Sequence, residues 1–348
     1  MRLSLKDFDG CRENNLTAIR ILLAWAVLYG HSYAVQNTMG LDDPLNRIFK
    51  GSIWIGALAV NGFFLISGFL VAGSIERRGV FNYLVSRVLR IYPALICCVL
   101  LSALLIGPVV SALDFGEYFQ NVEVYQYLKN LFGLFWMHQV LPGVFISNAK
   151  RGFNGSLWTL QVEIWCYLLL AGLFVLGGMK NRLVANVVIV GLFFLGWCYL
   201  SDLPLLGGNT KWVRLAGYFL LGMFFYTNRA QVVLDKKLCV MAAFIAFFSF
   251  GTVWFDYVFP FVFAYLVFAA AYLFPYMDAD GTIGDLSYGI YIYAWPTQQV
   301  VASLSPASGP IFNTFVASIV VFLLALMSWR FVERPSLALK RYWLSDAQ

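Results

Sequence analysis

The chain has 348 residues, of which 61% are hydrophobic and only 12% are charged, and its mean hydropathy is +0.74. Average soluble domains contain about 25% charged residues, so this composition excludes an ordinary soluble globular domain. Stretches such as 91–110, 184–201 and 311–329 contain no Asp, Glu, Lys or Arg, and each approaches the ~20 residues that a membrane-spanning helix requires. These continuous apolar runs predict an all-α, polytopic membrane protein and not a β-barrel, whose strands alternate apolar and polar residues.

We predict ten membrane spans with both termini in the cytoplasm. The spans are 16–37, 53–74, 90–110, 156–177, 184–201, 213–228, 238–255, 258–276, 285–304 and 311–332. This orientation places 17 of the 24 Lys and Arg residues on the inner side and the other seven outside, in agreement with the positive-inside rule. Topology and anionic lipid therefore explain the net charge of +6 without a nucleic-acid partner. No small-residue cleavage site follows the first span, which predicts a retained helix and not a signal peptide.

The longest polar interruption is 111–155, which we predict to be an external loop. Its apolar patch 131–145 is predicted to form a re-entrant or interfacial helix, in which His138 has a packing or interfacial role and not a catalytic one. A turn is predicted at 305–310, where Pro and Gly are concentrated. The six cysteines show no CxxC spacing, which favours packing roles over disulfides or a metal site. We therefore predict a single transmembrane domain over 1–348 with no separate soluble domain.

The first span carries two ionisable residues on one face of its helix. Arg20 and His31 are eleven residues apart, which is close to three full turns and separates them by roughly 16 Å along the axis. Ionisable groups within membrane spans are costly and usually functional. This spacing predicts a fixed cation near one membrane face and a titratable imidazole toward the other.

Glu163 is the only carboxylate well inside a predicted span, and it belongs to a polar stripe. Ser156, Thr159, Glu163 and Tyr167 recur at helical spacing. At 1.5 Å per residue, Glu163 and His31 lie roughly 10 Å and roughly 8 Å from the outer face, which predicts a pair. A carboxylate beside the imidazole would fix its tautomer and raise its basicity. The alternative is a polar pair that only holds helices together.

Arg87 and Arg90 are i, i+3 neighbours on a helix that enters the membrane from the predicted cytoplasmic side. Two guanidinium groups on one helix face predict a clamp for phosphates. The alternative is a basic anchor that binds lipid head groups. The sequence pattern leaves both open.

Six short segments between residues 17 and 335 carry a recognisable order of motifs. They are Arg20-x10-His31, Phe63-Phe64-Leu65-Ile66-Ser67-Gly68-Phe69-Leu70, Arg87-x-x-Arg90-Ile91-Tyr92-Pro93, Ser156-Leu157-Trp158-Thr159-Leu160-Gln161-Val162-Glu163, Ser287-Tyr288-Gly289-Ile290-Tyr291 and Phe331-Val332-Glu333-Arg334-Pro335. In this order they resemble the membrane acyltransferase-3 family. The chain departs from the family pattern at Asn61, where relatives often have Asp, and at Ala294, where many have a histidine.

The resemblance implies about ten helices and transfer of an acyl group, usually acetyl, from cytoplasmic acyl-coenzyme A to a carbohydrate hydroxyl at the bacterial envelope. It implies that Arg20, His31 and Glu163 act in catalysis and that Arg87 and Arg90 bind the donor. We therefore predict a multi-pass O-acyltransferase of the bacterial inner membrane. Its donor is acetyl-CoA or another short acyl-CoA, its acceptor is a surface or lipid-linked glycan such as an O-antigen or exopolysaccharide, and it needs no metal.

In the predicted reaction Arg20 joins Arg87 and Arg90 in holding the donor. His31 is predicted to be the general base for the acceptor hydroxyl, oriented by Glu163, or to carry the acyl group itself as an acyl-imidazole. Further candidates are Ser156 and Tyr167, for the developing oxyanion, and the motif residues Trp158, Asn61, Ser67, Tyr288 and Tyr291.

Two other classes of protein stay open at the level of the residues. A glycan or lipid transporter, or flippase, would use His31 and Glu163 for proton coupling. A non-catalytic membrane scaffold would leave the cost of burying these two groups unexplained.

Overall fold

A computed structural model describes residues 3–36, 40–49, 51, 53–132, 137–198 and 210–340. This part of the chain is mostly helical. Its two strands are short, and β1 (Leu3–Ser4) pairs antiparallel with β2 (Val233–Leu234). The all-α class predicted from composition is confirmed.

The helices of the first half include the predicted spans and the external segment. In chain order they are α1 (Leu16–Val35), α2 (Pro44–Ile48), α3 (Ile55–Leu100), α4 (Gly107–Val110), α5 (Phe115–Gln120), α6 (Val122–Leu128) and α7 (Trp158–Val175). A π-helical segment, Leu101–Ile106, joins α3 to α4, and 3₁₀ turns lie at Leu5–Phe8 and Lys129–Leu131.

The second half continues as helical hairpins. Its helices are α8 (Arg182–Cys198), α9 (Thr210–Thr227), α10 (Lys236–Ser249), α11 (Phe255–Leu273), α12 (Ala279–Thr282), α13 (Ser287–Leu304), α14 (Pro310–Ser328) and α15 (Arg334–Ala338). The π-helical segment Trp329–Glu333 joins α14 to α15. The predicted turn at 305–310 is present, and its Pro310 is the first residue of α14, where proline is favoured because the first helical N–H needs no partner.

Five helical segments in the described part of the chain are long and apolar enough to cross a membrane. They are α1, Ile55–Val110, α7, α11 and Pro310–Ala338. The other predicted spans correspond to α8, α9, α10 and α13. The count of ten spans and the placement of both termini in the cytoplasm stay predictions. The last residues of the predicted spans 16–37 and 184–201 lie outside the described residues.

The long element α3 consists of two helices joined across a kink, and it contains all but the first two residues of the predicted span 53–74 and the first part of the next, 90–110. Gly79 interrupts its helical conformation with φ 72° and ψ 171°. Glycine adopts this left-handed φ without a steric penalty. The polar residues between the two predicted spans therefore lie around the kink that separates these two helices.

The predicted external segment 111–155 contains α5 and α6, and Ser111 forms an isolated antiparallel bridge with Val144. In the described part of the patch 131–145 the chain is irregular after Leu131, where we predicted a re-entrant or interfacial helix. Pro142 has no N–H and Gly143 has φ 67°, and both residues interrupt helices. Residues 133–136 of the patch lie outside the described residues.

The chain forms two compact units, each built from three separate stretches. The single transmembrane domain over 1–348 stays a prediction. The first unit comprises 1–20, 60–83 and 166–282. Within it, α3 and α9 approach closely, because a Cβ on Gly68 would overlap the Phe219 carbonyl and one on Gly222 would overlap the Leu65 carbonyl. Small residues permit such contact between membrane helices, which gives Gly68 of the Phe-Phe motif a packing role.

The second unit comprises 21–59, 84–165 and 283–348. In it α13 and α14 form a tight hairpin, with Gly289 against Ala325. The Gln36 amide, just after α1, donates to the Ser305 carbonyl at 2.8 Å and accepts from Asn313 at 3.0 Å. The C-terminal ends of α1 and α13 therefore lie at the same side of this unit.

Candidate functional site

His31 lies one turn before the end of α1 in the second unit, with only 8% of its surface exposed. Its ring meets the Trp295 indole edge-on at 4.8 Å between centroids, and the Trp54 indole lies 6.1 Å away. Its Nδ1 is buried and has no hydrogen-bond partner among the described residues. Buried polar atoms are nearly always bonded, so an exception such as this marks a candidate site of function.

The Trp295 indole, on α13, is fixed from two directions. Its Nε1 donates to the Gly152 carbonyl at 2.9 Å. A Cβ on Gly155 would lie 2.7 Å from the atoms of the indole, so the chain before α7 passes directly against the ring. The absence of a side chain at Gly155 therefore allows Trp295 to reach His31.

The Trp54 indole is seated in the same way at the start of α3. A Cβ on Gly56 would overlap this ring. Gly30, the neighbour of His31 in sequence, lies against Gly56, because a Cβ at Gly30 would be 2.8 Å from the Gly56 nitrogen. Both indoles are only partly buried. The imidazole thus lies beside two indoles, and each indole packs against a glycine that leaves room for the ring.

The first part of the predicted polar stripe, from Ser156 to Glu163, contacts α13. The Ser156 carbonyl accepts hydrogen bonds from Thr159 Oγ1 and from the Tyr291 hydroxyl, both at 3.1 Å. The Thr159 and Tyr291 hydroxyls also bond each other. Glu163 interacts electrostatically with Tyr288 and Tyr291. The Ser-Tyr-Gly-Ile-Tyr motif and the Glu163 motif are therefore brought together.

His31 and Glu163, which are predicted to pair, are not joined through the imidazole Nδ1. Both residues belong to the second unit. No described residue bonds His31 Nδ1, so an orienting hydrogen bond from Glu163 is not made at that atom. The pairing stays a prediction. Ser156, a candidate for the oxyanion, also has a buried Oγ without a partner among the described residues.

Arg90 lies at the centre of an ion cluster near the start of α13. Its two terminal nitrogens donate to Asp285 at 2.7 Å and to Glu333 at 3.2 Å. Asp285 also accepts from the Ser287 hydroxyl at 2.5 Å, and Glu333 from the Ser328 hydroxyl at 2.9 Å. Glu333 is only 1% exposed. The cluster joins three segments that are far apart in sequence.

The remaining predicted residues lie in both units. Arg87 is half-buried on α3, one turn before Arg90, and Trp158 is the first residue of α7. In the first unit, the predicted Ser67 and Tyr167 share a hydrogen bond of 2.9 Å between their hydroxyls. The two other predicted residues of that unit are the half-buried Arg20 and the 7% exposed Asn61.

Sequence reasoning missed Trp54, Trp295 and Asp285. Trp295 follows Ala294, the departure from the family pattern, and nothing in the local pattern pairs it with His31. Asp285 is the first residue of the predicted span 285–304. An acid at the start of a span could have suggested a partner for a basic motif.

Residues 13–330 match the model of a family described as an acyltransferase domain. The chain belongs to the acyltransferase-3 family. The match covers stretches of both compact units. The resemblance that the motifs indicated is confirmed, and the protein is an enzyme that transfers acyl groups.

Two curated relatives of this acyltransferase align over nearly their full lengths. It is 29% identical to the "O-acetyl transferase" of Shigella phage Sf6, with 93% of this chain and 96% of the relative aligned. It is 27% identical to "Nodulation protein 10" of Rhizobium leguminosarum bv. viciae, with 94% of each chain aligned. No solved structure matches this acyltransferase.

The seat of Trp295 gives a first testable prediction. Gly155→Ala places a Cβ against the indole, which must shift and disturb its contact with His31. We expect the rate of acyl transfer to fall about 10- to 100-fold, as displacements near 1 Å do in active sites. Stability should fall by about 1–3 kcal/mol, as for other overpacked sites.

Gly191→Ala on α8 is the matched control, because a Cβ there meets no atom within 4 Å. The rates and the thermal unfolding of both variants are measured in the same detergent. Equal activity of Gly155→Ala and the unaltered enzyme would contradict a role for the indole position.

Proposed function

We propose that this acyltransferase transfers a short acyl group, acetyl in the first place, from acyl-coenzyme A to a sugar hydroxyl. The donor lies on the cytoplasmic side and the acceptor is a surface or lipid-linked glycan at the outer side of the bacterial inner membrane. The observation that carries the proposal is the buried His31 with its unbonded Nδ1 beside two indoles. The printed name of the phage relative, an O-acetyl transferase, also supports it.

His31 is the proposed general base. A neutral imidazole nitrogen takes the proton of the sugar hydroxyl as the oxygen attacks the thioester carbonyl. The carbon–sulfur bond breaks, and the thiolate of coenzyme A receives the proton from the imidazolium. In the alternative route His31 attacks first and carries the acyl group as an acyl-imidazole. A labelled acyl group trapped on the unaltered protein and absent from His31→Ala would identify this second route.

The donor end of the proposed site is basic. Coenzyme A carries phosphate groups, which arginine binds with paired hydrogen bonds. We propose that the Arg-x-x-Arg motif of Arg87 and Arg90 forms the binding site for these phosphates, and that Arg20 contributes to the path of the thioester arm. The half-buried positions of Arg87 and Arg20 support this assignment, since neither side chain is fully exposed to solvent or fully enclosed.

The acceptor end of the proposed site is aromatic. Trp54 and Trp295 are partly exposed beside His31, and such indoles offer an apolar face together with a polar N–H. A sugar ring has an apolar C–H face that fits this surface, with its hydroxyl groups at the edge. Ser156 and Tyr167 are proposed donors to the developing oxyanion, and Glu163 is proposed to stabilise positive charge on His31.

The proposed function is tested with the purified enzyme in lipid nanodiscs. Acetyl-CoA or succinyl-CoA is added with and without a lipid-linked glycan, and released thiol is measured over time. We expect release of coenzyme A that depends on the glycan and is faster with acetyl-CoA. Mass spectrometry of surface glycans from cells with and without the gene identifies the acceptor.

Two outcomes would contradict the proposal. Movement of glycan across the membrane without release of coenzyme A would indicate a transporter. Consumption of acyl-CoA without any acylated glycan in the cells would indicate a different acceptor class.

A further inference from the structure

We propose that Arg90 is a positioning residue, which fixes the start of α13 through Asp285 and Glu333, and that Arg87 alone of the arginine pair contacts the phosphates of the donor. This proposal rests on the proposed function and assigns different roles to the two arginines of the Arg-x-x-Arg motif. It is supported by the contacts of the Arg90 guanidinium, which all lie within the second unit.

The guanidinium of Arg90 is held on several sides. It donates to one carboxylate oxygen of Asp285 and one of Glu333, at 2.7 and 3.2 Å. Its Cζ lies 5.8 Å from the Tyr288 ring centroid and 5.9 Å from that of Trp329, within the range of cation–π attraction. Arg90 therefore binds two carboxylates in the way that arginine elsewhere binds a phosphate.

The charges of the cluster oppose a second anion. Asp285 and Glu333 are 9% and 1% exposed, and their carboxylates meet the same guanidinium. A phosphate at Arg90 would be repelled by two negative charges at low dielectric, or would have to displace a buried carboxylate from its partner. The sequence pattern predicts Arg90 as a phosphate ligand, but in the structure the carboxylates of Asp285 and Glu333 already bind its positive charge.

The cluster is built to hold α13 in place. Gly284 has φ 84°, and a Cβ there would overlap the Trp329 indole, so the chain enters α13 pressed against that ring. Asp285 accepts from the Ser287 hydroxyl at 2.5 Å in the first turn. Glu333 is fixed from the other side by Ser328 at 2.9 Å. Arg90 thus links α3, the start of α13 and the π-helical segment that follows α14.

The helix held in this way carries contacts to the candidate site. The Tyr288 hydroxyl donates to the Ile91 carbonyl at 2.9 Å, and the Tyr291 hydroxyl donates to the Ser156 carbonyl at 3.1 Å. Further along the same helix Trp295 meets His31. Asp285 and Trp295 are separated by roughly 15 Å along the chain axis of α13. A shift at the cluster is therefore transmitted to the imidazole by one rigid helix.

The test compares Arg90→Gln, Asp285→Asn and Glu333→Gln in the full-length enzyme with acetyl-CoA. We expect kcat to fall about 100-fold in each, because small displacements at an active site have effects of this size. KM for acetyl-CoA should stay within about twofold, since donor binding is not removed. The double variant Arg90→Gln/Asp285→Asn should be no slower than either single variant. Each single variant already breaks the Arg90–Asp285 contact, so the second substitution removes nothing further from it.

Arg87→Gln is the comparison, and it should raise KM for acetyl-CoA. The opposite pattern would overturn the inference. In that pattern KM for acetyl-CoA is higher in Arg90→Gln and lower in Asp285→Asn or Glu333→Gln. It would mean that the two carboxylates compete with the donor phosphates for Arg90. If Arg90→Gln does not fold, Arg90→Lys takes its place. A fall in kcat at constant KM supports positioning, and a higher KM overturns it.

Failure of the proposed function is seen separately. If the unaltered enzyme releases no coenzyme A from any acyl-CoA, the proposed function fails. The inference is then read from thermal unfolding of the same variants. Shifts that are not additive between Arg90→Gln and Asp285→Asn support the positioning link, and additive shifts overturn it.

Discussion

Replacing His31 with alanine should lower kcat for acyl transfer about 1,000-fold, which lies in the middle of the range for a lost general base. This factor corresponds to about 4 kcal/mol of activation free energy. The imidazole is buried beside Trp54 and Trp295, and its Nδ1 has no partner among the described residues. Its removal therefore breaks no hydrogen bond at that atom, and the loss is expected in chemistry more than in folding.

The measurement is release of coenzyme A at saturating acetyl-CoA and glycan, with thermal unfolding as the check on folding. His138→Ala is the matched control, because it removes the other histidine of the chain. Asn130 holds the main chain of His138 through bonds of 2.7 and 2.8 Å that do not use the imidazole. His138→Ala should keep the unaltered rate. Retention of that rate by His31→Ala as well would refute the proposed mechanism.

The helices that carry the candidate site residues could be predicted because their signals are local. The Arg20–His31 spacing needs only the geometry of one helix, and the stripe from Ser156 to Tyr167 needs only helical periodicity. The structure confirms both helices, as α1 and α7. It also explains Gly68, which the motif contains but which carries no chemistry of its own.

The parts that could not be predicted are contacts between distant segments. Arg90 and Asp285 are 195 residues apart, and nothing in either local sequence specifies the other as a partner. The contact of Trp295 with His31 likewise depends on which helices pack side by side. A single sequence therefore identifies ionisable residues that are costly to place within a membrane span, but it does not identify the residues from distant segments that contact them.

The backbone path between the predicted spans is the other feature that the sequence does not specify. Between the predicted spans 53–74 and 90–110 the structure has two helices joined across a kink at Gly79, because glycine can leave the helical conformation for a single residue. The patch 131–145 was apolar enough to suggest a helix, but Pro142 and Gly143 favour the irregular chain found in its described part. Hydropathy reports burial, and it does not distinguish these backbone paths.

Replacing Glu163 with glutamine should lower kcat about 100-fold with little change in folding, since the amide keeps the shape and removes only the charge. Glu163 interacts electrostatically with Tyr288 and Tyr291 on the helix that carries Trp295 to His31. Its negative charge is proposed to stabilise the imidazolium that forms when His31 takes the hydroxyl proton, and a neutral amide cannot do so.

The same kinetic assay measures this loss, and Glu117→Gln on the exposed face of α5 is the control for removing a carboxylate. Glu117→Gln should leave kcat unchanged. If Glu163→Gln lowers the unfolding temperature and leaves kcat intact, the residue only holds helices together. If kcat falls and the double variant with His31→Ala is no slower than His31→Ala alone, Glu163 acts through the imidazole. An additive loss would mean that the charge of Glu163 contributes to a step that does not involve His31, which contradicts the predicted pairing of the two residues.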